Sequence, residues 1–196
     1  MIIKVIQSSV IFLLVSLATN HCIAQSTINA EEYEVYSDLI KSLDEDNETS
    51  NLVIKKQTYS EILEGIAVKY ITKKLSLDTK IIEDYNKRNR LESEIQNQFK
   101  LKSKITLVGD EIQEILKRPQ TENDLIEAKS WENFRQKYQT FSLLTLSRVG
   151  FNQEKTKALV VYGYQSDWLG GEGIFYLLTK KNNSWKIKKK VRAWIS

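Results

Sequence analysis

Four stretches rich in β-branched and aromatic residues, near 142–151, 157–165, 173–181 and 184–194, follow one another with almost no chain between them. The first and last connections, 152–156 and Lys181-Asn182-Asn183-Ser184, consist of polar turn formers. Parallel neighbours need a crossover of about a dozen residues or more, so links this short force antiparallel pairing. The C-terminal third is therefore expected to form a four-stranded antiparallel meander. Its partners must be helices from the preceding chain, packed on one face, which makes the fold α+β.

Upstream, Asn29 followed by Glu32 reads as a capping pair, with Tyr33, Tyr36, Leu39, Ile40 and Leu43 on one helical face. Residues 44–51 are polar and acidic, and Leu52-Val53-Ile54 reads as a short buried strand. Between 60 and 75, Ile62, Leu63, Ile66 and Tyr70 fit a helix face, whereas Gly65, Val68, Ile71 and Thr72 weaken it. Asp78 is placed to cap a helix with Ile81, Ile82 and Tyr85 inward. Leu91, Ile95 and Phe99 either prolong it or lead irregularly into a strand at Ile105-Thr106-Leu107-Val108. Asp110 is placed to cap a short helix that Pro119, the only proline, ends, and 131–138 reads as a helix with Trp131, Phe134, Arg135 and Tyr138 on one face.

The first 24 residues read as a cleavable export signal: Lys4, an apolar run over 10–18, then Cys22-Ile23-Ala24 with small residues before the cleavage point. The run is too short for a membrane span, which needs about 20 residues, and Cys22 lacks the small preceding residues of a lipid-attachment site. The remainder, 25–196, is expected to be a single exported domain, periplasmic or extracellular, with no membrane span after cleavage. His21 and Cys22 are the chain's only histidine and cysteine. Their removal excludes thiol nucleophiles, imidazole bases and nearly every zinc site, and leaves stability to packing alone. No metal site, cofactor fingerprint or phosphate loop is present in the sequence.

Part of the chain resembles a family of uncharacterised exported bacterial proteins. The resemblance rests on Leu146-Ser147-Arg148-Val149-Gly150-Phe151-Asn152, Ala158-Leu159-Val160-Val161-Tyr162, Tyr176-Leu177-Leu178, Trp185-Lys186-Ile187 and Trp194-Ile195-Ser196, with Asp84-Tyr85-Asn86-Lys87-Arg88-Asn89 and Trp131-Glu132-Asn133-Phe134 upstream. It implies a shared fold and export and assigns no catalytic residue. Relatives in that family often carry two cysteines in the loop between the second and third meander strands, where this chain has Ser166 and Gly170. Helices followed by a meander ending in a Trp-Lys-Ile strand are also similar to nuclear-transport-factor-like cones.

Three groups of residues stand out chemically. Asp167 and Glu172 flank a glycine-rich loop containing Trp168, and two carboxylates beside an aromatic suit a glycan hydrolase, although solvated acids at a hairpin tip are commonplace. Lys186, Lys188, Lys190 and Arg192 alternate along the last strand, which places four cations on one sheet face. Such a row suits an anionic polysaccharide, a phosphate-bearing envelope lipid or an acidic envelope protein, although lysines on an edge or solvent face more often serve to block unwanted strand pairing. Export disfavours nucleic acid. Arg148 interrupts an apolar strand and needs an anionic partner, either a ligand or a carboxylate such as Glu132 or Asp84. Tyr162, Tyr164 and Tyr176 are expected to be core or cross-strand pairs. The sequence thus suggests a non-enzymatic binding domain of the cell envelope, with carboxylate-based glycan hydrolysis as the alternative.

Overall fold

A computed structural model describes residues 27–43, 51–116, 129–167 and 169–195. The readings of the leader, of 44–50, of Pro119 and of Trp168 fall outside them.

The described chain contains helices α1 (Ala30–Leu43), α2 (Gly65–Leu75), α3 (Thr79–Arg88), α4 (Glu111–Ile115) and α5 (Ser130–Tyr138). Its strands are β1 (Asn51–Lys55), β2 (Lys104–Val108), β3 (Leu143–Leu146), β4 (Gly150–Phe151), β5 (Lys157–Gln165), β6 (Gly171–Lys181) and β7 (Ser184–Ile195). The fold is α+β, but the sheet is larger than a meander: seven strands run in the order β2-β1-β3-β5-β6-β7, with β4 pairing β5 beside that path. The expected meander survives as the antiparallel part β3-β5-β6-β7. β1 adds to its edge parallel to β3, and β2 pairs parallel to β1. The correction has a local cause. Leu52, Val53 and Ile54 are all buried, so β1 needs cover on both faces and hydrogen bonds on both sides.

The expectation of N-terminal helices on one face is likewise overturned. Ala158 and Val160 of β5 point into a core shared with α1, whereas Leu159 and Val161 point into one shared with α2 and α3. Val53 and Leu143 meet Trp131 and Phe134 of α5 in a third cluster. Residues two apart on a strand share a face. Helices therefore cover both sides of the sheet, and α4 and α5 lie within the run of strands.

Local sequence explains most helix starts. Asn29 and Glu32 form a reciprocal capping box: the Glu32 amide donates to Asn29 Oδ1 at 3.0 Å, and the Asn29 amide donates to Glu32 Oε1 at 3.3 Å. Asp78 Oδ1 accepts the Ile81 amide at 3.0 Å. Asp110 makes no such bond at α4; the Gly109 amide instead donates to Glu111 Oε1 at 2.9 Å. In α2 the buried residues are Ile71 and Leu75, while Ile66 is 86% and Tyr70 49% exposed. The apolar face expected there is rotated outward, because the helix starts only at Gly65, and Leu63 is buried from the preceding extended chain.

Candidate functional site

Arg148 lies between β3 and β4, 1% exposed, and all three nitrogens of its guanidinium donate hydrogen bonds. Its Nε donates to Glu32 Oε2 at 2.8 Å and one terminal nitrogen to Glu32 Oε1 at 2.7 Å, a two-pronged pair that fits both groups. The other terminal nitrogen donates to Ser93 Oγ at 2.9 Å. Glu32, wholly buried, also accepts the Val149 amide at 3.1 Å and Arg88 at 3.3 Å. Burial opposes the charge on Arg148. The hydrogen bonds and charge of Glu32 outweigh it and hold the arginine's pKa above its usual value. The carboxylate foreseen for this arginine was Glu132 or Asp84, and neither supplies it. Glu132 sits on α5 beside Gln136, and Asp84 binds Arg88 and the Phe151 amide, each at 2.8 Å. Glu32 wins because its helix-capping position directs it from α1 under the β3–β4 corner.

The surrounding residues lock the same corner. Asn89 accepts the Arg148 amide at 2.8 Å and donates to the Arg148 carbonyl at 3.1 Å. Tyr36 donates its hydroxyl to the Ser147 carbonyl at 2.8 Å, and Ser147 Oγ accepts the Val161 amide at 2.8 Å. Asn86 clasps Leu63, accepting its amide and donating to its carbonyl, both at 2.8 Å. Gly150 lets β4 approach α3, since a Cβ there would lie 2.7 Å from the Tyr85 Cα. Asn152 Oδ1 accepts the Thr156 and Lys157 amides and shapes the turn into β5. The polar residues of 147–152 and 84–89 thus bind each other and α1. Their arrangement offers structure rather than a reactive group.

On β7 the register corrects the expected row of cations. Lys186 pairs with Thr179 and Lys190 with Tyr176, three residues apart on β6, so these two lysines face opposite sides of the sheet. An irregularity between Leu177 and Leu178, where the pairing steps from Lys189 to Ile187, leaves Lys188 as the extra residue. A second, between Gly173 and Ile174, turns Trp194 to the face opposite Arg192. Arg192 is held by Glu172 in a surface ion pair. Asp167 belongs to a tight loop in which the Ser166 amide donates to the Gly170 carbonyl at 2.7 Å. Ser166 Oγ donates to the same carbonyl at 3.0 Å. Tyr162 and Tyr176 form an edge-to-face pair with centroids 6.3 Å apart.

Two depressions differ in free charge. A cleft of about 460 Å³ lies between α3 and the β4–β5 turn, lined by Lys80, Asp84, Arg88, Phe151, Asn152, Gln153 and Lys155. Its cations are spoken for: Lys80 by Glu83 at 3.0 Å, Arg88 by Asp84 at 2.8 Å and Lys155 by Glu31 at 2.9 Å. At the β6–β7 hairpin a groove of about 250 Å³ is lined by Thr179, Lys180, Lys181, Lys186, Ile187 and Lys188. Lys180 reaches Glu31 and Glu34. Lys181, Lys186 and Lys188 are exposed and have no acidic partner among the described residues. Sequence reasoning missed Lys181, although its position beside the Asn182-Asn183 turn marks it as the other arm of the hairpin. Among the described residues no cluster of three or more acidic, histidine or cysteine side chains is arranged to hold a metal ion, and no helix is long and apolar enough to cross a membrane.

Searches of protein-family models, of curated proteins and of solved structures find no match to this chain.

Proposed function

We propose that this chain is an exported, non-catalytic domain that binds an anionic polymer of the cell envelope, such as an acidic polysaccharide, through the β6–β7 hairpin. The supporting observation is the concentration of uncompensated charge there. Lys181, Lys186 and Lys188 converge on one groove without acidic neighbours, while the cations of the larger cleft are neutralised by carboxylates. Lys190, also exposed on this edge strand, faces the other side of the sheet and lies outside the groove. Exposed charges attract a polyanion at long range and are screened within about 8–10 Å at physiological salt.

Retention on an immobilised acidic polysaccharide should therefore fall steeply as salt is raised. Replacing Lys181, Lys186 and Lys188 together by Gln should abolish it, whereas replacing the paired Lys80 and Lys155 by Gln should leave it nearly unchanged. Equal retention of the two variants would refute the hairpin as the contact.

A further inference from the structure

The geometry points to a second contact surface: we propose that the outer face of α2 docks onto an anionic lipid surface. The helix Gly65–Leu75 has no acidic residue. At about 100° per residue, Ile71 and Leu75 fall on the side packed toward the sheet, and both are buried. The opposite side has Ile66 at its centre, 86% exposed, and Tyr70 one turn further, 49% exposed. Lys69 and Lys73 flank this pair on one side and Lys74 on the other, all exposed, with the Lys74 ammonium 5.8 Å from the centre of the Tyr70 ring. Ile62, 42% exposed, lies in the chain just before the helix, between the exposed Glu61 and Glu64, which bound the basic surface at that end.

Apolar side chains bordered by lysines on a solvent-facing helix are what an interfacial helix presents to a bilayer: the apolar residues enter the acyl boundary and the lysines meet lipid phosphates. A solvated polysaccharide uses the lysines alone and gives Ile66 no role. The inner face of α2 is anchored by Ile71 and Leu75, which pack in one apolar cluster with Phe175 and Leu177 of β6 and Val191 of β7, so the outer face is held in place before any contact. The inference is independent of the hairpin reading, since it rests on different residues.

Cosedimentation of the full-length protein, as processed by its host, with phosphatidylglycerol vesicles tests it, with phosphatidylcholine vesicles as the neutral arm. Binding is expected to the anionic vesicles only. Lys69→Gln, Lys73→Gln and Lys74→Gln together should weaken it about a hundredfold, at about fivefold per lysine, and Ile66→Ser with Tyr70→Ser should weaken it at least tenfold. These positions are solvent-facing, so circular dichroism of every variant should match the parent. Undiminished sedimentation of both α2 variants would overturn the proposal, as would loss seen only in the hairpin lysine variant. Binding of α2 to soluble dextran sulfate without any binding to vesicles would overturn it in favour of a polymer.

Discussion

The most informative residue is Arg148, because a charge in an apolar strand admits two explanations that the sequence does not separate. The structure separates them: Glu32 takes the guanidinium with two hydrogen bonds, and Ser93 and the Thr27 carbonyl each accept one more. The need for a partner was legible, but its identity was not, since Glu32 lies 116 positions away and was read only as a capping residue. A capping carboxylate that also accepts Arg88 of α3 and the Val149 amide of the β3–β4 corner ties three parts of the fold together. Asn89 illustrates the cost of such sharing. Asn89→Ala removes the acceptor of the buried Arg148 amide, while the Arg148 carbonyl keeps the Ser147 hydroxyl, and should destabilise by about 1–3 kcal/mol. Urea denaturation measures this directly.

At the scale of elements, strands were read more accurately than their surroundings. The boundaries of β5, β6 and β7 follow the apolar stretches and turn residues closely, and Asp78 caps α3 as its position implied. What went unread was cover and register. Ala158-Leu159-Val160-Val161 is apolar without alternation, which already implies two buried faces, yet a single helical layer was expected. A bulge leaves little trace in composition, so counting by twos along β7 misassigned Lys186 to the side of Lys190. Close approach was equally silent: Gly150→Ala forces a methyl against the α3 backbone and should cost about 1–3 kcal/mol or more by thermal or urea unfolding. The β5–β6 loop offers the opposite case. A Cβ on Gly170 would lie 3.1 Å from Ser166 Oγ, close to the Cβ–S spacing across a disulfide. The double variant Ser166→Cys with Gly170→Cys should oxidise spontaneously and gain about 2 kcal/mol from closing so short a loop. Free-thiol titration and the shift in unfolding midpoint check it.

For the molecule as a whole, the described residues include no cysteine or histidine, and buried tyrosines couple its stability to alkaline pH. Tyr36 is pushed well above the usual tyrosine range by burial and then by the charge of Glu32, and Tyr85 is raised mainly by burial. A folded-state pKa above the unfolded value means the native state keeps its proton longer. The stability it confers is complete below about pH 10 and is lost as pH climbs above that, by up to about 1.4 kcal/mol per unit for each such tyrosine. Unfolding midpoints should therefore be flat with respect to these groups near neutrality and fall at alkaline pH. Tyr36→Phe should flatten that decline while losing the bond to the Ser147 carbonyl.

Taken across the fold, the buried polar corner holds α1, α3 and β3–β5 together, and the proposed binding rests on lysines that the corner does not use. Equilibrium urea unfolding of Arg148→Met, Glu32→Gln and the double variant, each also tested for retention on the acidic polysaccharide, examines that division most directly. The expected result is a loss of about 3–5 kcal/mol in either single variant, a loss in the double variant well below their sum, and unchanged retention by whatever protein remains folded. An Arg148→Met protein as stable as the parent but no longer retained would contradict it.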